Sequence, residues 1–412
     1  MSKTRRGAAI SRRLFPIFLE SRVKTMSIRE EILGLIGESS ALSVPVTEET
    51  DLYRDLHLDS LSFVCLLVEI ESRYHVTIEL AGGLAVIPNP LLARKHQARP
   101  AVLGFESSVS YAALARQAAA LQAALPAGDG RPAALLLPDG SGFLAALFAV
   151  LQAGSTALPL RPRMQADELA SLLRLSPVRV ILTSKALLAR CNAAAQACPV
   201  PPAILCIEDV PPFSGAFPPV CTADPTAPML LLASSGTTGR AKLVQLSEHN
   251  MAFNAAAYLR HRGFEKYRDP DPRYVLGTPL YGIYGLLVAF SCVLRGFPML
   301  PMAEDFSLDM LYRGAEALRI SHHDSGAIAA GLMDKARGHA IPYDISALRY
   351  FGFGGSKIPD GTLERLSADF PGVRFWSGYG MTEASPLIAQ PFQALPAEKL
   401  GSVGVPLPGV KV

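Results

Sequence analysis

"LLASSGTTGRAK", Leu231 to Lys242, joins a short apolar strand to two serines, a Gly-Thr-Thr-Gly turn and a lysine. It is not a Walker loop, because the Gly-Lys-Ser/Thr ending at the required spacing is absent. Its parts still suit phosphate. Gly236 and Gly239 permit positive φ, so successive N–H groups can point inward at oxyanions. Ser234, Ser235, Thr237 and Thr238 add hydroxyl donors, and Lys242 adds a charge. Taken alone, the stretch also reads as a surface loop with no ligand.

Its surroundings narrow the choice. "SYAALARQAAALQAAL" (Ser110–Leu125) and "GFLAALFAVLQAG" (Gly142–Gly154) have helical composition. "PAALLLP" (Pro132–Pro138), "VRVILTS" (Val178–Ser184) and "AILCIED" (Ala203–Asp209) read as buried strands. Apolar strands separated by helices predict parallel pairing and an α/β fold. Further on, "LRYFGFGGSKIP" (Leu348–Pro359) is a strand ending in Gly354-Gly355, able to bring bare backbone against a flat ring. "GYGMTEASP" (Gly378–Pro386) follows the strand "VRFWS" (Val373–Ser377). Tyr379, Thr382 and Glu383 thus stand at a strand's C-terminal end, where α/β proteins bind ligands. "GSVGVPLPGVKV" (Gly401–Val412) closes the series.

These four words, in this order over residues 86–412, resemble the adenylate-forming superfamily of acyl-CoA synthetases, nonribosomal adenylation domains and luciferase. The resemblance implies a large domain of parallel sheets layered by helices. It also implies ATP-dependent activation of a carboxylic acid as its adenylate, followed by transfer to a thiol. In that light, Ser234–Lys242 would hold the β and γ phosphates. Gly354, Gly355 and Ser356 would line the adenine, with Tyr379 packing on it and Gly380 in the same segment. Thr382 would reach the α-phosphate, and Glu383 would bind Mg²⁺. Ala241 and Leu243 depart from the family's usual proline and glycine.

"GTPLYGIYGLL" (Gly277–Leu287) resembles the family's substrate-pocket segment, with Tyr281 and Gly282 at the pocket and Ser325 of "SHHDSG" (Ser321–Gly326) approaching it. Gly282 stands where amino-acid activators carry an aspartate. Without that carboxylate a buried ammonium is poorly satisfied, so a plain carboxylic acid is expected. His322 and His323 are candidates for polar contacts to the substrate, although as loop residues they read first as structural or solvated.

The front of the chain differs. Residues 26–84 hold eleven Asp/Glu against three Lys/Arg. "SIREEILGLIG" (Ser27–Gly37) reads as a helix with a capping box. "LHLDSLS", around Ser60, resembles the signature of acyl and peptidyl carrier domains, which are small all-α four-helix bundles. The resemblance implies 4′-phosphopantetheine on Ser60, added by a phosphopantetheinyl transferase. A phosphodiester there would meet a helix N-terminus. Residues after Tyr74 leave little room for a fourth helix, so the bundle is expected to be abbreviated.

Residues 1–25 carry seven Lys/Arg against Glu20, a net +6. The overall +3 therefore leaves −3 on the rest. They read as a basic disordered extension. Nucleic-acid binding is not expected, because the folded part holds no basic excess. The longest apolar run, Tyr281–Leu294, is too short to span a bilayer. Six cysteines without CxxC or metal spacing read as reduced cytoplasmic thiols.

In the family, a ribose-gripping aspartate, a hinge and a small lysine-bearing domain follow the last of these words. None lies within the 412 residues. This chain alone is therefore expected to bind ATP but catalyse poorly, since losing one such preorganised charge costs roughly 10²–10³ in rate. A separate C-terminal domain, CoA and a downstream synthase are the implied partners. The competing reading is a non-catalytic carrier or docking protein with a residual nucleotide fold.

Overall fold

The computed structural model describes residues 96–412 apart from 219–225, 235–241, 262–271, 392–394, 397–398 and 408–409. The chain separates into units Met1–Ala81 and Gly82–Val412, and every described residue belongs to the second. The basic extension, the expected carrier module with Ser60, and Ser235, Gly236, Thr237, Thr238 and Gly239 lie outside the described residues.

In chain order the elements are β1 (Pro100–Val102), β2 (Val109–Ser110), α1 (Tyr111–Ala124), β3 (Ala133–Leu136), α2 (Ser141–Gln152), β4 (Ala157–Pro159), α3 (Ala166–Leu175), β5 (Val180–Thr183), α4 (Leu188–Gln196) and β6 (Ala203–Cys206). There follow β7 (Pro228–Ser234), β8 (Lys242–Ser247), α5 (Glu248–His261), β9 (Tyr274–Gly277), α6 (Ile283–Arg295), β10 (Met299–Pro301), α7 (Leu308–Leu318) and β11 (His322–Gly326). The last are α8 (Ala327–Lys335), β12 (Tyr350–Gly354), α9 (Thr362–Asp369), β13 (Arg374–Ser377), β14 (Tyr379–Gly380), β15 (Leu387–Gln390) and β16 (Val405–Pro406).

The fold is α/β, as the strand and helix spacing predicts. One sheet runs β13-β12-β11-β9-β10-β1-β2 and another β6-β5-β3-β4-β7-β8. Both are parallel except at one edge, where β2 and β8 run antiparallel to their neighbours. A third, small sheet, β14-β15-β16, is antiparallel. Helix α2 is buried from Phe143 to Gln152, and α6 from Gly285 to Val293. A helix apolar all round belongs in an interior layer. Accordingly α2 packs on β3 and β4, α6 packs on β9, and the two helices meet through Phe148 and Phe290, with ring centroids 6.1 Å apart. On the seven-stranded sheet, Phe351, Phe353 and Phe375 form a core with Leu363 and Leu366 of α9 and with Ala330 and Met333 of α8.

Local signals explain the helix starts. The Ser110 hydroxyl accepts the Ala113 N–H (3.2 Å) at the head of α1, and Ser307 does the same for Met310 at α7. Gln165 and Glu168 form a capping box on α3.

Two expectations need correction. The Ala203–Asp209 run is a strand only to Cys206, after which Ile207–Asp209 make a 3₁₀ turn. It is an edge strand whose Ala203 is exposed, not one covered on both faces. His322 and His323 are not loop residues, because β11 lies between β9 and β12, fully paired on both sides. Polar residues conceal a buried strand from a reading based on apolar pattern. Here aromatic stacking compensates, since His322 lies 4.5 Å from Tyr350 and 5.0 Å from Tyr274, centroid to centroid.

Candidate active site

Ser234 and Lys242 form the last pair of the β7–β8 ladder. The Thr382–Ala384 turn packs against β8. Strand β12 ends at Gly354, and Gly378 and Gly380 follow the end of neighbouring β13. These three strand ends converge on a cavity of about 510 Å³ lined by Ser234, Lys242, Gly354, Gly355, Gly380, Thr382 and Glu383. Two of the glycines are required by geometry. Gly355 has φ +84°, and a Cβ on Gly380 would overlap the Pro386 carbonyl oxygen.

The remaining wall is aromatic. Tyr258 of α5, Ile283 and Tyr284 of α6, Phe353, Trp376 and Leu387 are also among the lining residues. The Tyr258 hydroxyl donates to Asp324 Oδ2 (2.9 Å), and the Tyr284 hydroxyl donates to Asp324 Oδ1 (2.7 Å). Asn254, one turn before Tyr258, donates to the Leu387 carbonyl (2.8 Å) and accepts the Leu387 N–H (3.1 Å). That pair ties β15, and with it the Thr382–Glu383 turn, to α5.

Other residues singled out from the sequence fall elsewhere. Ser356 and Tyr379 line an adjoining cavity of about 660 Å³ that shares Gly355, Gly378 and Gly380 with the first. Tyr281, Gly282 and Ser325 line neither cavity. Gly282 caps α6, so the helix's first turn, Ile283 and Tyr284, faces the cavity instead. Ser325 is buried in β11 beside Gly277. His323 stacks on Phe306 at 5.3 Å, and burial pushes its pKa down to about 4, so it is neutral at pH 7. Sequence reasoning missed Tyr258, Tyr284, Asp324 and Trp376. One signal was available, because Asn254 and Tyr258 are an i,i+4 polar pair on a helix otherwise rich in buried alanine.

Asp139, just past β3, tethers the same segment by accepting the Leu280 N–H (3.0 Å), while its Oδ2 is buried without a partner among the described residues. Burial pushes its pKa from 3.8 up to about 6, against the Leu280 hydrogen bond and with help from Glu304. The folded state therefore binds this proton more tightly than the unfolded chain does. Stability from this group falls as pH rises from about 4 to about 6 and then levels off, a loss of about 2–3 kcal/mol. Asp139→Asn keeps an acceptor for Leu280 and removes the titration. Urea unfolding should show the variant gaining about 2 kcal/mol on the parent between pH 4 and pH 7. Identical pH dependence of the two chains would refute the assignment.

The lining fits a nucleotide. Hydroxyls, Lys242 and bare glycine backbone meet at one cavity, and Gly354 is tight enough that an added Cβ would lie 3.2 Å from the Tyr284 ring. Among the described residues no three His, Cys, Asp or Glu side chains cluster as a metal cage. Mg²⁺ does not need one, since it is commonly held by one or two carboxylates plus phosphate oxygens. Glu383 would supply the carboxylate.

Residues 92–412 match the family described as AMP-binding enzyme, and the chain belongs to that family. It is 29% identical over 313 residues to a feruloyl-CoA synthase from an Amycolatopsis species, covering 73% of this chain and 60% of that protein. Among solved structures it resembles o-succinylbenzoate-CoA synthetase from Bacillus subtilis, in complex with ATP and a magnesium ion (TM-score 0.64, 22% identity, 77% of this chain, 64% of that one). It also resembles a long-chain-fatty-acid-CoA ligase from Archaeoglobus fulgidus (TM-score 0.67, 19% identity, 77% and 68%). The chain thus spans less than two thirds of the feruloyl-CoA synthase's length. No helix among the described residues is long and apolar enough to cross a membrane.

Proposed function

We propose that this protein activates a carboxylic acid with ATP and passes the acyl group to a thiol. The observation that carries the reading is the convergence of Ser234, Lys242, Gly354, Gly355, Thr382 and Glu383 on one cavity whose other wall is aromatic. The acid lies against Tyr258, Tyr284 and Trp376, and a carboxylate oxygen attacks the α-phosphorus. A P–O bond forms, the bond to pyrophosphate breaks, and pyrophosphate carries away the electron pair. Thr382 donates to the α-phosphate and Lys242 neutralises charge on the β and γ phosphates, while Glu383 would hold Mg²⁺, whose charge would offset that of the phosphates. A thiolate sulfur then attacks the acyl carbon, and AMP leaves with the C–O bonding pair.

Free CoA is the favoured acceptor, supported by relatives named as CoA synthases and ligases. The "LDSLS" word around Ser60 supports a second reading, in which a pantetheine on that serine takes the acyl group. Acid-dependent ATP–pyrophosphate exchange tests the first half-reaction. Mass spectrometry after incubation with a phosphopantetheinyl transferase, CoA, ATP, Mg²⁺ and acid separates the acceptors. Acyl-CoA in solution supports free CoA, an acylated adduct on Ser60 supports the carrier, and no exchange with any acid overturns the reading.

A further inference from the structure

Asn254 of α5 is 2% exposed, and its side-chain amide meets both backbone groups of one residue 133 positions away. Nδ2 donates to the Leu387 carbonyl and Oδ1 accepts the Leu387 N–H, which is the pair of bonds a neighbouring antiparallel strand would offer β15 at that point. Helix α5 is the fixed partner, since Met251, Ala255, Ala257 and Tyr258 on it are buried. Leu387 in turn anchors the Met381–Pro386 turn. The Met381 N–H donates to the Pro386 carbonyl (2.9 Å) and the Ala384 N–H to the Met381 carbonyl (3.0 Å). Ser385, Pro386 and Leu387 are buried, whereas Met381 and Glu383 are exposed. Ser385 holds φ +77°, a left-handed conformation that a serine keeps only where its surroundings over-determine it. A turn exposed at one end and strained at the other takes its position from its anchor.

We propose that Asn254 is a positioning residue for the nucleotide end of the cavity: by clamping Leu387 it sets where Thr382 and Glu383 stand, and so governs how strongly Mg²⁺ tightens nucleotide binding. The inference deepens the acid-activating reading above and rests on its assignment of Glu383 to the metal. Asn254 is not among the cavity's lining residues, whereas Leu387, Thr382 and Glu383 are. It acts through the Leu387 backbone and the Pro386–Met381 bond. Without the amide, two buried backbone groups lose their partners, and the turn is free to relieve the strain at Ser385. The Glu383 carboxylate then leaves the place fixed for it. Mg²⁺ is sensitive to such a shift because it demands near-ideal octahedral geometry.

The test is calorimetric binding of ATP to the full chain, in EDTA and in Mg²⁺. No acid is added, so the readout stands apart from the exchange assay. In the parent chain Mg²⁺ should tighten ATP binding by about tenfold, the size of one charge-assisted contact. Asn254→Asp keeps the side chain's size and the acceptor for the Leu387 N–H but sets an oxygen against the Leu387 carbonyl. Its magnesium gain should fall to about twofold or less, while its Kd in EDTA stays within about threefold of the parent's. Asn254→Ala removes both bonds and decides the matter if the aspartate variant does not fold. Leu172→Ala, a core deletion in α3 on the six-stranded sheet, controls for lost stability and should keep the full gain. Where exchange is measured, Asn254→Asp should lower its kcat by about 10²-fold with the acid's KM within about threefold, because a displacement of about 1 Å is enough for such a loss. A magnesium gain that survives both Asn254 changes, an equal loss in Leu172→Ala, or no gain in the parent overturns the proposal. A gain lost only in the Asn254 variants, without pyrophosphate exchange in the parent, upholds it and counts only against acid activation.

Discussion

Glu383→Gln should lower acid-dependent ATP–pyrophosphate exchange by about 10²–10³-fold, with little change in the Kd for the acid. Glu383 is exposed at the cavity rim, in a 3₁₀ turn that packs against β8, so its replacement removes no core contact. Glutamine preserves size and one acceptor oxygen but loses the charge, and Mg²⁺ depends on carboxylate charge for its hold. The loss falls on the step in which negative charge accumulates on the phosphates, so the rate suffers more than ground-state binding does. Raised Mg²⁺ should restore part of the exchange, whereas a change in fold would not respond to the metal. Full exchange at low Mg²⁺ in the variant would remove Glu383 from the proposed machinery.

Phe351→Ala is the substitution with the largest expected cost to stability, about 3–5 kcal/mol. The ring is completely buried and lies 5.3 Å from Phe375 and 6.2 Å from Phe353 in near-parallel stacks, with His323 edge-on at 5.2 Å. Its ladder partners His323 of β11 and Phe375 of β13 are also buried, and close-packed interiors collapse only partly around a deletion. Urea unfolding at pH 7 gives the number directly, and a loss under about 1.5 kcal/mol would show that the site repacks. Because β12 delivers Gly354 to the cavity three residues later, a Phe351 variant that folds should also bind nucleotide less tightly.

These two residues mark the limits of what the chain's order of amino acids conveys. Glu383 is legible in the sequence, because its neighbours form a word with the chemistry of a phosphate and metal site. Gly355 and Gly380 are legible for a related reason, since positions where a side chain would be strained leave a local trace. Apolar strands such as β3 and β5 announce parallel pairing by composition alone, as do helices α1 and α2 by theirs. Phe351 reads as core, but nothing local says that its ring stacks between β11 and β13.

The aromatic wall of the cavity is the least legible part. Gly282 and Ser325 look like pocket residues by position in their words, yet helix phase turns Ile283 and Tyr284 inward instead, and strand burial takes Ser325 out of reach. Asp324 has no neighbour in sequence that betrays its place behind the cavity wall, because the phenols that donate to it stand 66 and 40 residues away on two different helices. The phosphate-site reading of Ser234–Lys242 comes from local chemistry, because its hydroxyls, glycines and lysine are adjacent in the chain. Which side chains share the acid's cavity depends on how α5, α6 and β11 meet, and that is a matter of long-range packing that no short stretch of residues encodes.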